Sequence, residues 1–173
     1  MQAVHFQEQY FDAYVEMCGD EEITIRTVKE DLEDEALRIR LDCLRDVEGL
    51  PPRHRFEQDF VDRTWLFFRA AEQTTLLAMD GDIAIACATL CYKNCIPTLG
   101  HPTGMRAHLM NVYTAAGYRR QGIASRLIRE LHDIARMRGV TEITLDATDK
   151  GRPLYTALGY KASDECMYFD MKR

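Results

Sequence analysis

At 173 residues with 46% apolar and 29% charged residues, the chain has the makings of one soluble domain with a sizeable core. No apolar run approaches the roughly 18 residues needed to span a bilayer, and the acidic N-terminus lacks a basic region followed by an apolar stretch, so the expectation is a cytoplasmic protein without membrane attachment. A net charge of -6 speaks against nucleic acid as the main partner and weakly favours a cationic, amine-bearing one.

Met1 to Glu22 place Phe6, Tyr10, Tyr14 and Met17 at helical spacing and read as an N-terminal extension, helical or disordered, ahead of a single domain over 23–173. Ile23 to Arg26 read as a first strand, and Thr27 with Glu30 as a capping box opening a helix with a buried stripe of Leu37, Leu41 and Leu44. Pro51 and Pro52 open a second helix, whose Phe56, Phe60, Trp65 and Phe67 or Phe68 are expected in the core rather than in a binding box. Thr74 to Met79 and Ile83 to Leu90 flank Asp80-Gly81-Asp82 as a β-hairpin, its second strand apolar on both faces and hence central. Tyr92 to Gly104 is loop chemistry, and Arg106 to Thr114 returns to strand. Val140 to Leu145, a short helix through Tyr155 and a final strand near Cys166 to Met171 complete the chain.

The most informative stretch is Tyr113 to Ser125, YTAAGYRRQGIAS, a strand end, a basic turn and a helix start. Ile123, Leu127, Ile128, Leu131, Ile134 and Ala135 keep one apolar face, which puts the first helical turn near Gly122. Its amides lack intrahelical acceptors and carry about half a positive charge, so an anion fits there, with Arg119, Arg120 and Arg126 around it. A plain surface helix after a turn is the competing reading. Six cysteines, Cys18, Cys43, Cys87, Cys91, Cys95 and Cys166, form no C-x-x-C pair and no zinc spacing with histidine, and are expected as buried free thiols, with no metal.

R-x-x-G-x-A after a strand, followed by Leu145 to Tyr160, LDATDKGRPLYTALGY, with its L-Y-x-x-L-G-Y ending, resembles the GCN5-related N-acetyltransferase (GNAT) superfamily in order and spacing from about Ile23 onward. The resemblance implies an α/β (α+β) acyl-CoA N-acyltransferase fold: a central twisted mixed sheet flanked by helices, with a splayed strand pair. It implies acetyl-CoA as acyl donor, with Arg119, Arg120, Gln121, Gly122, Ile123, Ala124 and Ser125 at the phosphates and Val112, Tyr113 and Thr114 along the pantetheine arm. Tyr155 matches the family's tyrosine that protonates the leaving thiolate. His108 stands where histone-modifying members carry a glutamate base, with His101 behind it. Thr148 replaces an asparagine that contacts cofactor in many relatives; it or Asp149 is expected to cap the short helix. The implied function is transfer of acetyl from acetyl-CoA to a primary amine of a small-molecule or peptide acceptor in a ternary complex. The alternative is a non-catalytic acyl-CoA-binding or sensing module. Dimers are common among relatives, so a homodimer is also open.

Overall fold

The computed structural model describes residues 23–164 and 167–171; the predicted N-terminal extension and Cys166 lie outside them. Five strands form one sheet in sequence order: β1 (Ile23–Thr27), β2 (Gln73–Asp80), β3 (Ile83–Asn94), β4 (Met105–Thr114) and β5 (Ile143–Leu145). The first four pair antiparallel, whereas β5 lies parallel to β4. Gly81 at φ 56° turns the β2–β3 hairpin, with Asp80 facing Ile83. β3 is buried from Ala84 to Leu90, as a strand covered on both faces must be.

One face is covered by α3 (Ile123–Met137), whose buried residues are the six apolar positions read from the sequence. They meet Leu76, Ala78, Ala86, Ala88, Leu90, Ala107 and Leu109 from alternate positions of three strands. The other face carries α1 (Glu33–Val47) and Phe68 of α2 (Gln58–Ala70), packed on Leu77, Met79 and Cys87. A six-residue α4 (Arg152–Ala157) follows β5.

Five expectations need correction. Thr27 is the last residue of β1, paired with Leu76, so it caps nothing; α1 starts at Glu33 without a side-chain cap, and Glu33, Asp34 and Glu35 complement its dipole instead. The α1 stripe against the sheet is Leu32, Ala36, Ile39 and Cys43, while Leu37, Leu41 and Leu44 are half-buried beside it, because the small residues let the helix lie close. α2 begins at Gln58, after the prolines, and only Phe68 of its aromatics is buried; Phe56 is stacked edge-on by His54 under Arg45, and Phe60 is exposed. Residues 167–171 form no strand, their side chains of Met167, Tyr168, Phe169 and Met171 standing in solvent with no sheet edge packed against them. Likewise Cys43 and Cys87 are buried, but Cys95 is exposed.

Leu127 is fully buried at the centre of the α3 face. Leu127→Ala is expected to lower stability by about 2–5 kcal/mol, read as a lower urea midpoint with an unchanged slope.

Candidate active site

β4 and β5 share only three register pairs, Ala107 with Ile143, His108 with Thr144 and Leu109 with Leu145, and then part. From Met110 to Thr114 the edge of β4 that faces away from β3 therefore has no strand beside it. In an antiparallel ladder every second residue turns its N–H and C=O to that edge, so a short row of amide donors and acceptors stands open. The same stretch carries a bulge: Thr89 faces Met110 but Cys87 faces Tyr113, and Asn111 within it sits at φ 56°. Asparagine tolerates that left-handed conformation better than other side-chain-bearing residues. The carbonyl of Asn111, displaced from the ladder, accepts a bond from the Cys87 thiol at 3.1 Å, and burial pushes that thiol's pKa up, keeping it a donor. Val112, Tyr113 and Thr114 lie within this stretch of β4 that has no strand on its outer side.

A 3-10 turn (Ala116–Tyr118) then leads to α3. Gly122 caps the helix at φ 80°, with nothing within 4 Å of where a Cβ would stand. No side chain caps this end and its first turn holds no acid, so the amides of Ile123, Ala124 and Ser125 point out of the helix. Arg120 is also left-handed, at φ 67°. Alternation of left-handed residues with others turns successive N–H groups to one side, the geometry of an anion nest. Arg120 and Arg126 form no ion pair among the described residues. Arg119 is differently employed: its Nε donates to the Thr114 carbonyl at 2.9 Å and its Nη2 meets Asp46 of α1 at 2.9 Å. It fastens the turn to α1. Gln121 donates from its side chain to the Gly117 carbonyl at 3.3 Å, closing the turn.

Gly151 is the N-cap of α4 and no side chain caps the helix, contrary to expectation; the Thr148 hydroxyl instead accepts from Gly151 N–H at 3.2 Å in the turn ahead of it, and its carbonyl from Arg152 N–H at 3.0 Å. The Tyr155 ring lies against Gly151, where a Cβ would approach Cε2 to 3.2 Å, and packs edge-on against Tyr160 at 5.8 Å. Burial raises the Tyr155 pKa, with a smaller push from Cys43 of α1. The phenol is therefore seated with the α3-side core yet senses α1 on the other side of the sheet.

His108 is on that other side. His108 Nδ1 is hydrogen-bonded with the Thr144 hydroxyl at 3.0 Å, and its Nε2 lies 3.5 Å from an Asp146 carboxylate oxygen. Burial lowers the His108 pKa below 6.5, Lys93 adds to this, and Asp146 opposes it. His101 does not join this group: it lies in the loop before β4, bonded to Thr141 at 3.1 Å, at the far end of the strand.

Beside His108, Met110 and Asn111 floor a cavity of ≈ 310 Å³ walled by α1 and α2, with Arg40, Phe60, Phe67 and Phe68 among its lining. The aromatics expected in the core are its walls. Periodicity could not find them; an asparagine inside a strand pattern was the available signal of the bulge.

A strand pair that opens beside an uncapped helix end defines the acyl-CoA N-acyltransferase fold. Residues 34–160 match the acetyltransferase (GNAT) family, to which the chain belongs. Glucosamine 6-phosphate N-acetyltransferase of Trypanosoma brucei brucei is 33% identical over 64 residues, 37% of this chain and 44% of that protein, so the chain spans less than half the length of this curated relative. A predicted acetyltransferase from Clostridium acetobutylicum, solved with acetyl-CoA, superposes with a TM-score of 0.74 at 24% identity over 86% of this chain and 96% of that one. An aminoglycoside 6'-N-acetyltransferase from Acinetobacter baumannii gives 0.63 at 26% identity, over 86% and 97%. Among the described residues no helix is long and apolar enough to cross a membrane, and no cluster of His, Cys, Asp and Glu is arranged to hold a metal.

Gly122→Ala forces a Cβ into the left-handed region and is expected to cost about 1 kcal/mol of stability by urea titration. Nothing lies within 4 Å of that Cβ, so the cost comes from the backbone conformation alone.

Proposed function

We propose that this protein transfers the acetyl group of acetyl-CoA to a primary amine held in the cavity beneath α1 and α2. The observation that carries this reading is the juxtaposition of an unpaired β4 edge with the uncapped α3 terminus. A ligand with a diphosphate and two amides in its arm satisfies both. The amides of Arg120 to Ser125, with the Arg120 and Arg126 charges, are suited to the diphosphate, and the backbone of Val112, Tyr113 and Thr114 to the arm. The donor supplies an activated thioester; the amine nitrogen bonds to its carbonyl carbon, the C–S bond breaks, one proton leaves nitrogen and one reaches sulfur.

The chain's residues divide those two protons. His108 has a depressed pKa, so its neutral imidazole is able to accept a proton from the amine, directly or through water. Asp146 stabilises the imidazolium that results. Tyr155 has a raised pKa, so it stays protonated throughout the physiological range and donates from its hydroxyl. Open N–H groups at the β4 bulge suit the oxyanion. The named relative acts on an amino sugar phosphate, and the structural neighbour on aminoglycosides, which supports an amine as acceptor class.

Tyr155→Phe should reduce kcat for thiol release by about 10²-fold or more while acetyl-CoA affinity stays within about twofold; a variant with full turnover removes Tyr155 from the chemistry. Unaltered acetyl-CoA binding with no turnover on a broad amine panel by the unmodified protein would instead favour a sensing module. For His108, kcat/KM should fall on the acid side with a midpoint below 6.5, since protonation of a group whose pKa is depressed removes the base only at lower pH. That limb should be lost in His108→Gln, together with about 10²-fold in rate.

A further inference from the structure

We infer that the acceptor carries an anionic group, a carboxylate or a phosphate, on a compact apolar body beside its amine. This rests on the transferase reading above and concerns the cavity over Met110 and Asn111.

The argument begins with three arginines of α1. Arg38 is paired with Glu35 and Asp42, both at 2.8 Å, and Arg45 with Asp42 at 2.8 Å. Arg40, half-buried at the cavity wall, forms no ion pair among the described residues. Its guanidinium meets only uncharged groups, the Asn111 amide oxygen at 3.3 Å and the Cys43 thiol. A guanidinium has five donors, and Arg40 keeps most of them open to solvent or a ligand. A guanidinium without a counter-ion, beside a cavity whose lining holds no carboxylate, is matched to an anion that arrives with the ligand.

Arg40 is also held in place. Asn111 donates through Nδ2 to the Thr89 hydroxyl at 3.4 Å, and Thr89 is bonded to Thr75 at 2.8 Å, with both threonines buried. This polar chain runs under the cavity floor and fixes the amide oxygen that Arg40 meets. Arg63 stands at the mouth; its partner Asp59 at 2.8 Å is, like Arg63, 77% exposed, so solvent screens that pair and a ligand can compete for it. No residue lining the cavity bears a carboxylate. The remaining wall, Phe60, Phe67, Phe68 and Met110, is apolar apart from Thr64, whose hydroxyl donates to the Phe60 carbonyl of its own helix. At ≈ 310 Å³ the space is near the lower bound of about 300–1,000 Å³ for small-molecule sites, which suits one compact molecule.

The test is thiol release from acetyl-CoA with leucine, phenylalanine, their carboxamides, the corresponding decarboxylated amines, and glucosamine 6-phosphate beside glucosamine, all rates referred to the unprotonated amine. An anionic member should exceed its neutral counterpart at least tenfold in kcat/KM. The amino acids and the sugar phosphate separate a carboxylate source from a phosphate source. Arg40→Gln should bring that ratio down toward one, and Arg63→Ala, at an exposed position that leaves folding intact, should lower it less. Neutral amines used as well as anionic ones, or a ratio that survives Arg40→Gln in a protein with an unchanged melting curve, overturns the inference while the transferase reading stands. Thiol release with none of the panel, acetyl-CoA binding being intact, overturns both.

Discussion

The parting of β4 from β5 after Leu109 is the constraint around which the site is organised. Unpaired backbone groups cost about 1–3 kcal/mol each when buried, so a strand is held open only where water or a ligand replaces the missing neighbour. Here the opening coincides with a bulge, and the two non-glycine residues at positive φ among the described residues, Asn111 and Arg120, both fall within the segment from bulge to helix. Such conformations cost of order 1 kcal/mol each and persist only where surrounding contacts dictate them. Those contacts are present. Cys87 holds the Asn111 carbonyl, Thr89 holds its side chain, and Arg119 joins the Thr114 carbonyl to Asp46 at the end of α1. The strained backbone is therefore part of a fixed frame that ties the turn before α3 to the helix walling the cavity.

The division of proton traffic follows from the same opening. Tyr155 comes from α4 with the α3-side core, while His108 stands on the α1 side of the sheet. A sheet that stayed paired would separate them with a layer of backbone. Burial moves the two pKa values in opposite directions, upward for the phenol and downward for the imidazole. Each change favours the neutral form, the form that the proposed roles require.

What periodicity could read was the part of the fold in which one element meets one neighbour. All six apolar positions of α3 were legible, as were the hairpin at Gly81 and the central place of β3, because each is set by local repeat and turn chemistry. The helix end at Gly122 was legible for the same reason. α1 was less so, since leucines at 37, 41 and 44 and the set Leu32, Ala36, Ile39 and Cys43 both satisfy helical spacing; the sheet chose the set with smaller members. Phe60 and Phe67 looked like core because aromatic content does not say whether the space beside it is filled. Arg40 was invisible for a deeper reason. Its meaning comes from what it lacks, an acidic partner, and that depends on Asn111, 71 residues away.

The global charge and the local charge then have separate jobs. A net charge of -6 acts at long range and is screened beyond about 8 Å at physiological ionic strength, so it sets solubility and encounter rather than fit. Inside the cavity the nearest fixed charge is Arg40, and the walls are apolar. An amine entering with its own anion would leave that anion at the guanidinium and bring its ammonium against Phe and Met side chains, an environment that favours losing a proton. Lys93 lowers the His108 pKa further, which in the proposed reaction keeps the base neutral. The lack of carboxylates in the cavity lining, which suits the proposed acidic acceptor, also keeps fixed anions away from its nitrogen there.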